Sequence, residues 1–412
     1  MKILFLHALA DPEKGGGAEQ TLWTLMRGLR DAGHDCVLLA TSDTSGLRMT
    51  EREGITVWEA GIRNVYWPYH KKRPAAATRL LWHALDSYNP WMQSFLKQVV
   101  AEEQPDVASL HNLPGWSSAS WTTLVELNIP IVQVLHDSYS VCVKATMHRN
   151  GRNCTNQCAD CRIFRLPHRV LSQNVKAVVG VSHFILERHC NLGYFAGVPI
   201  QRVIHNARDP IALGVSAISE ENSHDGLRFG FIGSLYPAKG IEILIEVFLS
   251  SDLPDAELLV AGSGKHHYES YLHLNVTDER IQFMGRVPQR EFYSKVDVVV
   301  VPSTLNEALG MVVAEALAFG KPVIGARRGG IPEMIQDGEN GLLFEPDVQG
   351  ELAECLQRMH GDSALREKLK ANAQPSSTSF MDLDAWVARY EALYAEVIEE
   401  GFEKAGRKRY SA

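Results

Sequence analysis

STLNEALGMVVAEALAFGKPVIGARRGGIPEMI, residues 303–335, is the most informative stretch of this sequence. Seven residues separate Glu307 from Glu315 across a predicted junction between a loop and a helix. Glu315 interrupts an otherwise apolar helix start, and a buried, unpaired carboxylate is strongly destabilising, so we expect it to have a partner. A ribose diol would suit, because its two hydroxyl groups can donate to both carboxylate oxygens. The alternative is that Glu307 caps the helix while Glu315 pairs internally with an arginine.

Short β-rich runs alternate with helical patterns on both sides of this stretch, which predicts parallel strands joined by helical crossovers. Helical patterns cover residues 19–32 and 241–250, among others. The fold class is therefore predicted to be α/β, with two doubly wound, Rossmann-like sheets. The first series of strands contains KILFLH, CVLLAT, VASLH, IVQVLH and AVVGVS, and the second contains RFGFIGS, ELLVAG, IQFMG, VDVVVVPS and PVIGA.

A chain of 412 residues exceeds the size at which a single core usually keeps growing, so we expect two domains. The boundary is predicted near Asn206, followed by the polar stretch ISEENSHDG at residues 218–226. We expect an N-terminal domain over 1–205 and a C-terminal domain over 206–380. A helix over 381–412 follows, and packing back on the first domain is one placement for it.

Composition excludes several classes of protein. With 45% hydrophobic and 22% charged residues the chain is typical of a globular protein, and its net charge of -8 argues against a nucleic-acid partner. The N-terminal MKILFLHALA lacks a cleavage site, and no apolar run is long enough to span a membrane. Seven cysteines, an odd number, fit a reducing compartment. We therefore expect a cytoplasmic protein.

In parallel α/β sheets, ligands bind where strands give way to helices, because backbone N–H groups are presented there. The stretch FIGSLYPAKG, residues 231–240, places Lys239 just before a helix, where a cation suits a diphosphate. The alternative for Lys239 is a solvated lysine. The N–H groups of Ala308–Met311 at the next helix start could hold a phosphate or sugar hydroxyls.

The first half has its own candidate residues at such turns. Gly15, Gly16 and Gly17 form a loop before a helix, where close approach to an anion is permitted, although a plain connection is the alternative. His111 and His136 each follow a strand, so both are predicted to project toward one edge of the sheet. A single histidine is more often structural, and for His111 the structural and the functional interpretation are equal alternatives.

The paired glutamates, the lysine turn and the glycine turns together resemble the signature of retaining glycosyltransferases of the GT-B fold, specifically glycosyltransferase family 4. The similarity covers nearly the whole chain. It implies two Rossmann-like domains facing an interdomain cleft, with Glu307 toward the donor sugar and Glu315 toward the nucleotide ribose. The family commonly carries an arginine where this sequence has Ser234. That departure leaves Lys239 with more charge to neutralise, or passes the task to Arg327 or Arg328.

The resemblance also distributes the remaining site residues. The implied catalytic residues are His136, Glu307 and Lys239. The implied donor-binding residues are Gly16, Gly17, Gly233, Ser234, Lys239, Gly262, Arg286, Glu307, Ala308, Leu309, Gly310, Met311 and Glu315. Those implied on the acceptor side are Glu19, His111, Asn112 and Ser182.

The activity implied is a retaining transfer of hexosyltransferase type from a nucleotide-diphosphate sugar to a glycan, a lipid-linked or a small-molecule acceptor. Cell-surface polysaccharide or glycoconjugate synthesis is the implied setting, and no catalytic metal is expected. Two alternatives stay open: an epimerase or phosphorylase of the same fold, and a sugar-nucleotide-binding protein without turnover.

A cluster of four cysteines occupies the middle of the chain. Cys142 is followed by Cys154, Cys158 and Cys161, and four thiolates suit a tetrahedral, structural zinc ion. The alternative is reduced, unligated cysteine in an irregular insertion. The C-x-x-x-C-x-x-C spacing is also that of radical S-adenosylmethionine enzymes, but its place in mid-chain and Asp160 before the third cysteine argue against that class.

Residues 63–91, RNVYWPYHKKRPAAATRLLWHALDSYNPW, mix basic and aromatic side chains. Such a mixture favours an anionic interface, so we predict peripheral contact with the inner face of a membrane or with a lipid-linked acceptor. A solvated loop over a packed helix is an equal alternative.

Overall fold

The computed structural model describes residues 1–11, 16–70, 74–215 and 226–409, and side chains as far as residue 400. Gly15 of the glycine loop, the basic residues 71–73 and most of the polar stretch 218–226 lie outside the described residues. The chain forms two compact units. The first contains Met1–Met147, Cys154–His205 and the chain from Leu383 onward, and the second contains His148–Asn153 and Asn206–Asp382.

The strands and helices alternate along most of the chain. In order, the strands are β1 (Lys2–His7), β2 (Asp35–Ser42), β3 (Leu47–Arg52), β4 (Ile55–Gly61), β5 (Val107–Leu110), β6 (Ile131–Leu135), β7 (His148–Arg149), β8 (Arg152–Asn153), β9 (Ala177–Gly180), β10 (Ile200–Val203), β11 (Leu227–Ile232), β12 (Ala256–Ala261), β13 (Ile281–Gly285), β14 (Val298–Val301), β15 (Val323–Ala326) and β16 (Gly341–Phe344). The helices are α1 (Gly17–Asp31), α2 (Ala76–Ser87), α3 (Gln93–Glu103), α4 (Ala119–Glu126), α5 (Ala159–Phe164), α6 (Leu166–Leu171), α7 (His183–Asn191), α8 (Pro210–Leu213), α9 (Ile241–Ser250), α10 (His266–Asn275), α11 (Gln289–Lys295), α12 (Met311–Ala318), α13 (Glu351–Gly361), α14 (Ser363–Met381) and α15 (Leu383–Arg409).

The first unit is built on a sheet with the order β10-β9-β6-β5-β1-β2-β4-β3. All neighbours are parallel except β3 and β4, which pair antiparallel at one edge. The central strands read as continuous apolar runs because helices cover both faces of such a sheet. β3 has the polar sequence LRMTER and is mostly exposed, which is why its strand character is hard to see in the sequence.

The second unit is built on a fully parallel sheet with the order β13-β12-β11-β14-β15-β16. Apolar side chains of its strands pack on α9. Phe229 of β11 and Leu244 and Phe248 of α9 have no exposed surface. Helix α9 has the bounds predicted from its apolar periodicity. The carboxyl ends of all six strands meet at one edge, so the loops that follow β11, β12, β13 and β14 are brought together.

The last helix, α15, belongs to the first unit. The Tyr394 hydroxyl donates to Ser109 Oγ at 2.8 Å, and Glu391 Oε1 lies 2.7 Å from His34 Nε2. Among the residues that the structure describes, no helix combines the length and apolar character needed to cross a membrane.

Candidate functional site

The second unit brings Lys239 and Glu307 together from positions 68 residues apart. Lys239 ends a short 3-10 turn before α9, and Glu307 lies in the loop between β14 and α12. Lys239 Nζ donates to Glu307 Oε1 at 2.6 Å, and Ser303 Oγ donates to the same oxygen at 2.7 Å. The lysine side chain keeps 30% of its surface exposed and the glutamate 14%, so the pair faces solvent on one side. A cation and a carboxylate are thus held side by side at the carboxyl edge of the sheet.

Backbone contacts hold the loop that carries Glu307. The Gly330 N–H donates to the Glu307 carbonyl at 2.9 Å. Gly329 has a φ of +61°, and a Cβ at this position would lie 1.9 Å from the Glu307 carbonyl oxygen. Only glycine therefore fits there without moving Glu307. Sequence reasoning did not assign this role, although the glycine pair in GARRGG was a visible signal for it.

A second support comes from the hairpin β7–β8. Asn153 Nδ2 donates to the Thr304 carbonyl at 2.6 Å, and the Asn306 N–H donates to Asn153 Oδ1 at 3.1 Å. One side-chain amide therefore fixes two backbone groups immediately before Glu307. No local sequence pattern predicts this contact, because the partners are more than 150 residues apart.

Glu315 is buried in α12, with 6% of its surface exposed, and it has a partner within the protein. Arg208 Nε donates to Glu315 Oε1 at 2.9 Å. Burial, with a further contribution from the Glu315 carboxylate, raises the pKa of Tyr293 well above its ordinary value. Arg208 is therefore the partner that the buried carboxylate was expected to have. This is the internal pairing of Glu315 with an arginine, the alternative to a ribose partner. The ribose role of Glu315 stays a prediction.

Three glycine turns follow adjacent strands of this sheet. The Gly262 N–H donates to the Gly285 carbonyl at 2.7 Å, and the Gly233 N–H donates to the Ala261 carbonyl at 3.1 Å. Gly262 has a φ of +132°, and a Cβ there would lie 1.8 Å from the Gly233 carbonyl oxygen. The turns are therefore packed backbone against backbone. Ser234 and Arg286, beside these turns, are exposed.

Helix α12 begins at Met311, and its N-cap, Gly310, offers no side-chain acceptor. The Val313 N–H donates to the Gly310 carbonyl at 2.9 Å, and binding of a phosphate or of sugar hydroxyls at Ala308–Met311 stays a prediction.

Arg327 and Arg328, the alternative phosphate cations, are engaged elsewhere. Arg327 pairs with Asp337 at 3.3 Å, and Arg328 pairs with Asp347 and with Glu345. Lys239 is itself paired with Glu307, so its role as the phosphate cation stays a prediction.

In the first unit, Glu19 binds the start of its own helix. The Gly16 N–H donates to Glu19 Oε2 at 2.6 Å, one residue before α1 begins at Gly17. Glu19 Oε1 lies 4.0 Å from His7 Nε2. Burial lowers the pKa of His7, and the nearby Glu19 carboxylate offsets part of that decrease. Glu19 thus orders the glycine loop, and contact with an acceptor stays a prediction.

His111 and His136 are brought into direct contact. His111 Nδ1 lies 2.8 Å from His136 Nε2, and the rings are stacked. His111 Nε2 lies 3.1 Å from Ser109 Oγ, which accepts the Tyr394 hydroxyl. Burial, with the neighbouring His136, lowers the pKa of His111 well below its ordinary value, so His111 is neutral. His111 is therefore a buried neighbour of His136, and Asn112 beside it is half-buried; the acceptor-side roles of His111 and Asn112 stay predictions.

Ser182, predicted on the acceptor side, has no exposed surface. Its Oγ accepts the Ile185 N–H at 3.1 Å as the N-cap of α7. The hydroxyl therefore has a structural use in the first unit.

Three of the four clustered cysteines are in contact in the first unit. Cys161 Sγ lies 3.5 Å from Cys158 Sγ and 3.9 Å from Cys142 Sγ. A ligand oxygen of Asp160 lies within 4.8 Å of the sulfurs of Cys158 and Cys161. Hydrogen bonds, chiefly from Cys161 and also from the Lys144 N–H, lower the pKa of Cys142 to about 6.

The aromatic residues of 63–91 divide between core and surface. Trp82 is buried and its Nε1 donates to the Tyr66 carbonyl, and Trp67 donates to Thr41. Trp91 keeps 53% of its surface exposed. Part of this stretch therefore packs inward as an ordinary core, and membrane contact stays a prediction.

Two sequence families match this chain, one in each half. The family described as Glycosyltransferase Family 4 matches residues 15–210, and the family described as Glycosyl transferases group 1 matches residues 217–375.

Relatives of known sequence fall into two groups by coverage. An uncharacterized 42.6 kDa protein from the cps region of Klebsiella pneumoniae is 25% identical over 85% of this chain and 91% of its own length. The D-inositol 3-phosphate glycosyltransferase of Corynebacterium efficiens is 32% identical, over 40% of this chain and 42% of that enzyme.

Solved structures match over nearly the whole chain. The sucrose-phosphate synthase of Thermosynechococcus elongatus has a TM-score of 0.74 at 18% identity, covering 97% of this chain and 99% of its own. The Anabaena protein Alr3699/HepE, in complex with UDP-glucose, has a TM-score of 0.66 at 22% identity, covering 97% and 100%. At these identities the likeness concerns the fold, which is the predicted GT-B fold.

Proposed function

Because this chain belongs to the group 1 glycosyltransferases of family 4, we propose that it transfers a sugar, with retention of configuration, from a nucleotide-diphosphate donor to an acceptor hydroxyl. The observation that carries this proposal is the Lys239–Glu307 pair at the carboxyl edge of the second sheet. A cation beside a carboxylate suits a reaction in which negative charge develops on a leaving phosphate while positive charge develops on the sugar ring.

The residues of the second unit divide this work. Lys239 neutralises the leaving diphosphate, and Glu307 faces the donor sugar, so the donor replaces part of their mutual contact. The first turn of α12 and the turns at Gly233 and Gly262 let backbone N–H groups approach the donor closely. Glu315 keeps Oε1 on Arg208 and offers Oε2 to a ribose hydroxyl.

Chemistry at the sugar follows from these placements. The bond from the anomeric carbon to the phosphate oxygen breaks, and the acceptor oxygen forms its bond on the same face. A leaving phosphate oxygen receives the acceptor proton, so no enzymic nucleophile and no divalent metal are needed. His136, oriented by His111, contacts the sugar.

The acceptor is proposed to be a growing glycan, free or lipid-linked, in the synthesis of a cell-surface polysaccharide. The relative from a cps region of Klebsiella pneumoniae supports this setting. The exposed part of residues 63–91 is the proposed contact with an anionic lipid surface.

Donor binding tests the proposal first. Thermal stabilisation and calorimetric binding would be measured with UDP, GDP, ADP, dTDP and their sugar conjugates, beginning with UDP because the Anabaena structure holds UDP-glucose. We expect one nucleotide series to bind wild type, with weaker binding in Lys239→Met. The matched control is Lys295→Met, since Lys295 is an exposed lysine of the same unit.

Binding by no nucleotide would refute the proposal. Binding of one series with neither sugar transfer nor slow donor hydrolysis would instead identify a sugar-nucleotide-binding protein.

A further inference from the structure

Three cysteine thiols of the first unit lie together in a part of the chain that the proposed reaction does not use. Cys142 and Cys161 are buried, with 5% and 4% of their surface exposed, and Cys158 is half-buried. We propose that Cys142, Cys158 and Cys161, as thiolates, bind a structural Zn²⁺ ion, with Cys154 as the fourth ligand. This inference is independent of the proposed transfer reaction.

Two of the sulfur separations match a single tetrahedral ion, whereas the group of ligand atoms that lie within 4.8 Å of one another contains Cys158, Asp160 and Cys161, so Cys142 must move closer to Cys158 when the ion binds. Zn–S bonds of about 2.3 Å in a tetrahedron place neighbouring sulfurs about 3.8 Å apart. In the structure, the separations are 3.5 Å from Cys158 to Cys161 and 3.9 Å from Cys161 to Cys142. Bare thiols gain little from such close packing, because the S–H group is a weak donor.

The backbone around the sulfurs is arranged as it is around metal-bound thiolates. The Lys144 N–H donates to Cys142 Sγ at 3.4 Å. Such a hydrogen bond helps to fix the orientation of a sulfur ligand. Cys158 is the N-cap of α5 and Cys161 lies in its first turn, so the C-x-x-C pair is presented from one helix start. Two separate backbone segments therefore converge on one point.

Cys154 is the better fourth ligand on chemical grounds. Its N–H donates to the Met147 carbonyl at 2.7 Å, which ties its backbone to the turn that follows Cys142. Asp160 is the competitor, because its carboxylate lies near two of the sulfurs. Structural zinc sites are closed and built from thiolates and imidazoles, so a fourth thiolate is preferred.

Two other uses of the cluster fit the geometry less well. An iron–sulfur cluster spreads its cysteines around several irons, so their sulfurs would not touch in pairs. A disulfide between Cys158 and Cys161 would need an oxidant and would leave the contact with Cys142 without a role. A zinc ion uses both sulfur contacts and cross-links the two ends of the segment that carries the hairpin β7–β8. Each thiol loses its proton on binding, so zinc affinity rises with pH.

Elemental analysis of the full chain, purified without chelators, tests the proposal. We expect one zinc per chain in wild type and in Cys190→Ser, the control, because Cys190 is a half-buried cysteine of the same unit outside the cluster. Cys158→Ser and Cys154→Ser should retain at least tenfold less zinc, and Asp160→Asn should retain all of it. Retained zinc in Cys154→Ser with loss in Asp160→Asn would overturn the assignment of the fourth ligand.

A second measurement does not depend on the variants folding. Wild-type protein depleted of metal and titrated with Co²⁺ should show one equivalent of uptake, with thiolate-to-cobalt charge-transfer absorption and the visible bands of a tetrahedral site. Less than one-tenth of a zinc per chain together with no cobalt uptake would overturn the proposal. So would iron with sulfide in the elemental analysis, or a Cys158–Cys161 disulfide in the freshly purified protein.

Discussion

The buried pair of Arg208 and Glu315 provides the sharpest test of the second unit. The side chains retain 9% and 8% of their surface, and their atoms are 2.9 Å apart. Arg208→Met leaves the carboxylate buried without its ionic partner, which we expect to destabilise the unit by about 3–5 kcal/mol. At about 2–4 °C per kcal/mol, the melting temperature of this unit should fall by roughly 6–20 °C.

The assay must report on the second unit alone. All eight tryptophans lie outside residues 206–382, so tryptophan fluorescence follows the first unit. Hydrogen exchange of peptides covering α12 measures the second, and the destabilisation corresponds to roughly 100-fold to several-thousand-fold lower protection.

The double variant Arg208→Met with Glu315→Gln should lose about 1–3 kcal/mol less unfolding free energy than the two single variants lose together. The control is Arg228→Met, which removes a half-exposed ion pair with Glu257 and should change stability by about 1 kcal/mol or less. Stability of Arg208→Met within about 0.5 kcal/mol of wild type would refute the reasoning. The same variants separate folding from ribose binding: Glu315→Gln that folds normally but loses nucleotide affinity would support the ribose role.

Lys239→Met should lower kcat by roughly 100-fold or more, the usual effect of removing one group that stabilises developing charge, while Lys295→Met leaves it unchanged in the same transfer assay. Gly329→Ala forces a side chain against the Glu307 carbonyl at positive φ, so we expect about 1–3 kcal/mol of destabilisation and a lower kcat, and unchanged activity would contradict the loop assignment. Asp86 is a fully buried residue of α2 whose carboxylate lies 3.4 Å from Arg165 Nη1. Burial raises the pKa of Asp86 to about 6, so its stabilising contribution is complete at low pH and is lost as the pH rises through that value. Between about pH 4 and pH 7, the free energy of unfolding of wild type should therefore fall by up to about 3 kcal/mol more than that of Asp86→Asn. Urea unfolding followed by tryptophan fluorescence at each pH measures both changes. An equal fall in the two proteins would contradict the prediction.

Local patterns in the sequence predicted the central architecture. The strands of both parallel sheets appear as short apolar runs, and the helix over 241–250 as an apolar periodicity, because side-chain spacing along one element depends only on neighbouring residues. The edge strand β3, its neighbour β4 and the short strands β7, β8, β10 and β16 were not predicted. Except for β4, which is a seven-residue and largely buried strand, they are polar or only a few residues long, and their pairing depends on partners that other parts of the chain provide.

By itself, the sequence determined which chemistry is available: a lysine before one helix, a glutamate before another, and glycines where strands end. Only the tertiary structure decided which of these groups meet. It placed Lys239 on Glu307, gave Arg208 to Glu315, and set Asn153 against the backbone before Glu307. The physical reason is that a turn or a helix start is encoded by adjacent residues, whereas the partner of a buried charge is chosen by the packing of elements distant along the chain.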